Sequence, residues 1–380
     1  MIDLGEWRAA LPAGPDLNQL TNGYSVAPED DVAVLFVGRF TPHAKAHPFP
    51  MFQGLARAAE ATGQGVHLVL SGWAANDEQL ALFLDGLRAF APGLPVSVVN
   101  GMDPDLRFGV WHAADVFTSL ADSIQETFGL VIVEAMACGL PVVASDWDGY
   151  RDLVVDGETG FLVPTYMVQD ATQNASLRLL LGAVDYDAFL AECNQAVAVD
   201  PSATTAAYVR LLTDPALRRR MGTAGRQRVE QHFTWERVVR AYEGLWREQE
   251  AERRAQVTQS PRRTPGPACY PAPEVSFAGY PTTLLDGDAL VRTATGAADA
   301  LGRILALPLC TYAGRRVRDG ATLRAVLAAA SSPRTVNELG AVLADFGAAH
   351  GSARATLAWL LKYGLLERAA SGPGIDPSKP

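Results

Sequence analysis

The stretch from Asp115 to Pro164, DVFTSLADSIQETFGLVIVEAMACGLPVVASDWDGYRDLVVDGETGFLVP, decides the fold. Val116–Leu120 is an apolar run that reads as a strand entering a polar loop, and a helix is expected to start near Thr127. Gly139 ends that helix, Pro141–Ser145 reads as a second buried strand, and a glycine-rich turn closes the unit. A strand, loop and helix in that order leave the amides of the first helical turn without carbonyl partners. The N–H groups of Thr127, Phe128, Gly129 and Leu130, with the helix dipole behind them, are therefore an expected anion site. Glycine at position 129 lets a ligand approach the backbone. Two carboxylates flank the site, Glu126 at its rim and Glu134 further along the helix. A carboxylate beside an anion site is costly unless it accepts hydrogen bonds, and sugar hydroxyls supply them. The pattern fits a ligand that carries both phosphate and sugar.

Upstream the same alternation continues. Buried strands are expected at Val32–Val37, Val66–Leu70 and Val96–Val99, joined by Val116–Leu120, Pro141–Ser145 and Phe161–Val163. Helical patterns fall between most of them, at about 51–62, 76–90, 106–113 and 129–138. Short apolar strands separated by amphipathic helices predict an α/β fold, a Rossmann-like parallel sheet with both faces covered. Ligands in such sheets bind outside the carboxyl ends of the strands. Arg39, Ser71–Gly72, Asn100–Gly101 and Asp122–Gly129 all follow strand ends, so topology alone brings them to one edge.

Composition narrows the function classes. The chain has 380 residues, 48% hydrophobic and 19% charged, which describes an ordinary globular protein of two or three domains. A net charge of −10 argues against broad electrostatic binding to nucleic acid or anionic membrane. Cys138, Cys193, Cys269 and Cys310 are too far apart for a zinc site or a disulfide framework, which suits a reducing compartment. No apolar run approaches the ~20 residues of a membrane span. The expectation is a cytoplasmic protein, free or peripheral to the inner membrane.

The pattern E-T-F-G-L-x3-E-A-M-A-x-G-L-P-V-V, followed by G-x-x-G-F-L-V-P, resembles the donor-binding half of the family 4 retaining glycosyltransferases, enzymes of GT-B architecture with two Rossmann-like domains facing a cleft. Two further matches agree, FVGRFTPHAK early and DPALRRRMGTAGRQRVEQHFTWERVVRAYEGLW late, so the likeness spans roughly residues 30–250 in the family's order. The resemblance implies transfer of a hexose from a UDP- or GDP-sugar with retention of configuration, without a cofactor or metal. It assigns Glu126 to the donor sugar hydroxyls, Glu134 to the nucleotide ribose, and Arg39 and Lys45 to the leaving pyrophosphate, with Gly38 among the donor-binding residues. LPAGPDLNQL resembles the family's interdomain linker, with Pro12, Gly14 and Asp16 matching, so residues 1–30 are expected to be linker-like. The acceptor-binding domain that precedes such a linker is then expected on an upstream segment or a partner chain, and the acceptor is left open.

Each of these residues also has a plainer reading. Glu126 suits a helix-capping carboxylate and Glu134 a solvated helical charge, but Glu134 stands in the apolar run VIVEAMA, where a charge needs a partner or a ligand. Arg39 suits a structural ion pair. His43 and His47 suit loop structure, with no further metal ligands apparent. Lys45 is one of only three lysines and lies beside the anion site, which favours a functional role. Tyr150, Arg151 and Asp152 suit the cleft or the cap of the next helix equally.

The domain reading is 31–250 for the nucleotide-sugar-binding unit, with helices at 185–198, 203–212 and 235–249 and no assignment for 166–181. Residues 251–275 form a Pro-rich linker, 276–370 a mostly helical module, and 371–380 a disordered tail. In the module Thr335-x-x-Glu338 is a capping box, Ser352 a candidate cap and Leu365–Arg368 the start of a strand. With Thr322–Ala330 as first helix it resembles a winged-helix module. From Pro261 onward 13 basic residues face 9 acidic ones, a mildly basic balance that allows DNA binding but is modest, and a protein contact is the favoured reading. Three readings stay open: an enzyme completed by another domain, a non-catalytic nucleotide-sugar-binding subunit, and a ligand-sensing regulator acting through the module.

Overall fold

The structure, a computed structural model, describes residues 31–103, 106, 108–172, 174–255, 271–312 and 318–369. The linker-like segment 1–30, most of the Pro-rich linker and the tail 371–380 lie outside the described residues.

Six strands make the main sheet: β1 (Val32–Arg39), β2 (Val66–Trp73), β3 (Val96–Asn100), β4 (Val116–Ser119), β5 (Val142–Ser145) and β6 (Gly160–Val163). They pair in parallel in the order β3-β2-β1-β4-β5-β6. The helices between them are α1 (Phe49–Thr62), α2 (Asp77–Phe90), α3 (Gly109–His112), α4 (Leu130–Ala137) and α5 (Tyr150–Leu153). This is the Rossmann-like α/β sheet expected from the sequence. Its cause is visible in Val34 and Leu35, adjacent residues on opposite faces of β1 that are both fully buried. Each such side chain contributes about 1.5–3 kcal/mol by burial. Order reverses between β1 and β4, and the switch point opens a crevice at their carboxyl ends.

The helix expected near Thr127 begins three residues later, at Leu130. Its N-cap is Gly129, whose φ of +86° is left-handed, so no helical turn can precede it. The helix expected over 106–113 is described only as Gly109–His112.

Beyond β6 the chain builds β7 (Thr165–Val168), α6 (Ala175–Leu180), α7 (Tyr186–Gln195), β8 (Val197–Val199), α8 (Pro201–Thr213), α9 (Pro215–His232) and α10 (Trp235–Ala255). The single helix expected over 185–198 stops at Gln195, because Val197–Val199 pairs antiparallel with β7 instead. Asp200 then caps α8, accepting from the amides of Ser202 and Ala203 at 2.9 Å each and from the Tyr166 hydroxyl at 3.0 Å. Asp200→Ala is expected to cost about 1–2 kcal/mol and Asp200→Asn much less, read from urea midpoints at constant slope.

The last described region contains α11 (Pro273–Ser276), β9 (Thr283–Leu285), β10 (Leu290–Thr293), α12 (Ala297–Leu305), α13 (Pro308–Thr311), α14 (Gly320–Ala329), β11 (Arg334–Thr335), α15 (Val336–Asp345), α16 (His350–Lys362) and β12 (Leu366–Arg368). The capping box at Thr335 and Glu338 is formed. Ser352 is no cap: α16 already starts at His350, and the Ser352 hydroxyl accepts from Arg318 at 3.1 Å. β10 pairs antiparallel with β11 and β12. β9 adds in parallel to β7, so Met167, Val168, Leu190 and Val197 share one core with Leu301, Leu323, Leu357 and Leu360. Among the described residues no helix is long and apolar enough to cross a membrane.

Candidate active site at the sheet switch point

The crevice at the ends of β1 to β4 holds a cleft of about 370 Å³. Gly38 and Arg39 line it at the end of β1, Ala44 and Lys45 after it, Gly72 and Trp73 at the end of β2, Gly101 and Met102 after β3, and Gln125 and Glu126 after β4. Three glycines pave its floor. Gly38 lies opposite Gly72 in the sheet, and the Gly101 amide donates to the Gly72 carbonyl at 2.9 Å. A β-carbon on Gly72 would sit 1.8 Å from the Gly38 carbonyl oxygen. The floor is therefore bare backbone, which a ligand can approach closely.

Lys45 and Glu126 meet across this floor in an ion pair, with side chains 15% and 14% exposed. The turn at 41–45, closed by the Lys45 amide on the Thr41 carbonyl at 3.0 Å, folds the lysine back over Gly38. Glu126 is fixed by its own amide, which donates to the Ser123 carbonyl at 3.0 Å. Arg39 is exposed, and its guanidinium donates to the Ala44 carbonyl at 3.4 Å. One lysine, one arginine and one carboxylate thus face the same cleft, over a floor of backbone.

The remaining expected residues divide between other surfaces. The amides of Thr127, Phe128, Gly129 and Leu130 have no hydrogen-bond partner among the described residues; the first three lie in the bend before α4, and Leu130 is its first residue. The side chains of Phe128 and Leu130 leave the cleft and line an apolar groove of about 560 Å³ with Val133, Phe233, Val238 and Leu245. Glu134 is half-buried on α4 and does not line the cleft. Burial, with the Glu134 charge second, pushes the Cys138 thiol up to about 12, so it is a poor nucleophile.

Two groups at the cleft went unread in the sequence. Trp73 and Met102, both largely exposed, stand at the mouth; the signal for Trp73 is an aromatic directly after the glycine of a strand end. His47 is buried and bonded, as the loop-structure reading had it. Its Nδ1 accepts from the Phe49 amide at 3.3 Å, so Nε2 carries the proton, 3.1 Å from the Leu309 carbonyl. Burial, with Lys362 second, holds its pKa well below the usual histidine range.

Residues 31–181 match the family model described as "Glycosyl transferases group 1". That segment contains all six strands of the main sheet and every cleft residue. Residues 31–181 are thus similar in sequence to the group 1 glycosyltransferases. The chain is 35% identical over 243 residues to an alpha-maltose-1-phosphate synthase of Mycobacterium tuberculosis, covering 62% of this chain and 51% of that one. It is 34% identical over 169 residues to a phosphatidyl-myo-inositol mannosyltransferase of Mycobacterium leprae, covering 43% and 42%. Among solved structures, a sucrose-phosphate synthase of Thermosynechococcus elongatus is 29% identical with a TM-score of 0.41, covering 64% of this chain and 52% of that one. The chain thus spans about half the length, or less, of these relatives.

Proposed function

We propose that this chain is the donor-binding half of a retaining glycosyltransferase of the family 4 type, moving a hexose from a UDP- or GDP-sugar. The observation that carries the reading is the Lys45–Glu126 pair over a glycine floor at the sheet switch point. Lys45 and Arg39 match the charge of a diphosphate, with the unpaired amides of 127–130 as further donors. Glu126 accepts hydrogen bonds from donor sugar hydroxyls. Trp73 offers a flat apolar face at the mouth for a sugar or base. Glu134 is kept for the nucleotide ribose, as the family resemblance assigns it.

The chemistry balances without a covalent intermediate on this half. The bond from the anomeric carbon to the phosphate oxygen breaks as the acceptor oxygen bonds to the same face. The acceptor's proton passes to the departing phosphate oxygen, and the nucleotide diphosphate leaves with its charge matched by Lys45 and Arg39. We place the acceptor site on a second Rossmann-like unit across the cleft, carried upstream or on a partner chain. The side chains of α10, none of them buried, would support it with Val238, Val239, Tyr242, Leu245 and Trp246.

Calorimetric titration of the full chain with UDP-glucose and GDP-mannose tests this. Saturable binding of one donor, lost in Lys45→Ala, is the expected result. A folded chain that binds neither donor, nor UDP, nor GDP would end the reading.

A further inference from the structure

The two loops that carry Lys45 and Glu126 are joined beneath the cleft by a buried polar cluster, and one member comes from the far end of the chain. The Lys362 ammonium, at the last turn of α16, is 3% exposed and pairs with Asp122, 2% exposed. Its three donors are all used: Asp122 Oδ2 at 2.5 Å, the Asn194 carbonyl at 2.9 Å and the Val197 carbonyl at 3.0 Å. Asp122 Oδ1 accepts from the His47 amide at 3.1 Å and from Asn194 Nδ2 at 2.6 Å. The next residue of α16's end, Tyr363, places its hydroxyl 3.2 Å from His47 Nε2 and accepts from Gln195 at 3.2 Å.

The spacing along the chain gives this cluster its meaning. His47 follows Lys45 by two residues, and Asp122 precedes Glu126 by four. The His47–Asp122 bond therefore ties the loop after β1 to the loop after β4, and Lys362 holds that tie from below. A buried ion pair is weak support for stability, because desolvation offsets its attraction, and its better-attested use is to fix one geometry. Here the desolvation is plain: burial pushes Asp122 up and Lys362 down, each partly offset by the other.

We propose that Lys362 is a positioning residue for the donor cleft, setting the placement of Lys45 and Glu126 through Asp122 and His47. The donor site is then completed from below by the end of α16, through Lys362 and Tyr363. The cleft's role in donor binding rests on the function proposed above; the geometric claim is tested separately.

The test uses the full chain as wild type, Lys362→Met, and Lys362→Met with Asp122→Asn. The single variant leaves a buried carboxylate without its cation and is expected to lose stability. The double variant has no buried charge to compensate and is expected to recover its denaturation midpoint. With only three lysines in the sequence, limiting acylation followed by mass spectrometry reads Lys45 directly. If Lys362 positions the loops, Lys45 is acylated about fivefold faster than in wild type in both variants, and donor affinity falls about tenfold in both. A purely structural role predicts the wild-type acylation rate in the double variant once its midpoint has recovered, and that result overturns the proposal. If wild type binds no nucleotide, the function reading falls while the acylation rates still decide this one.

Discussion

Lys45→Ala is expected to weaken binding of the nucleotide diphosphate sugar by about 2–4 kcal/mol, roughly 30- to 1,000-fold. Two losses act in the same direction. A cation facing the diphosphate disappears, and Glu126, only 14% exposed, is left without its partner beside the same phosphates. Glu126→Gln reverses the second term. It frees Lys45 for phosphate and removes the adjacent anion, so affinity for the bare nucleotide diphosphate should hold or rise. The donor sugar loses a charged acceptor for its hydroxyls, so the preference for nucleotide sugar over nucleotide diphosphate should shrink toward one. The double variant Lys45→Ala with Glu126→Gln should bind better than Lys45→Ala alone, because no unpaired carboxylate remains. Titrating nucleotide diphosphate and nucleotide sugar against the four proteins completes the cycle. If Lys45→Ala and Glu126→Gln weaken both ligands alike, the pair only braces the two loops and does not face the ligand.

The sheet and its ligand edge could be read in advance because they are local features. Each strand is a short apolar run, and parallel pairing buries both faces, so composition alone marks it. Arg39, Gly72, Gly101 and Glu126 come together by topology, which fixes the carboxyl edge before any side chain is placed. The meeting of Lys45 with Glu126, 81 residues apart, had no local mark, and the family resemblance assigned the two to different groups of the donor. The start of α4 was misjudged because an apolar run resembles a helix until a left-handed Gly129 sets its first turn. β8 was absorbed into a helix because Val197–Val199 is three residues long, and only its pairing with β7 makes it a strand. β9 is as short, and its partner lies more than a hundred residues away. The Asp122–Lys362 pair spans 240 residues. Its one trace in the sequence is a lysine inside LAWLLKYGLL, the same anomaly of charge in an apolar run that drew attention to Glu134.

Gly129→Ala is expected to destabilise the protein by about 2–5 kcal/mol, while Gly93→Ala, at nearly the same φ, costs about 1–2 kcal/mol. The two glycines have φ of +86° and +81°, so the backbone penalty is common to both. They differ in what a new methyl group meets. At Gly93 nothing lies within 4 Å, whereas at Gly129 the β-carbon would fall 2.3 Å from the Tyr150 ring. That ring cannot give way cheaply: Tyr150 is fully buried, and its hydroxyl is 2.8 Å from Ser119 Oγ at the end of β4. Nor can the loop slide along α5, because the carbonyl of Thr127 already occupies the place of a β-carbon on Gly149, 2.1 Å away. The strain of Gly129→Ala must therefore move residues 127–129, and Glu126 with them. Urea midpoints separate the steric term from the shared backbone term. Donor titration then connects the two levels: affinity should fall in Gly129→Ala and stay at the wild-type value in Gly93→Ala. Equal midpoint losses in the two variants would mean that Tyr150 yields and the loop is not pinned. Unequal midpoints with equal donor affinities would mean that the turn at 127–129 is rigid for the sake of the fold, and that the donor binds elsewhere along the crevice.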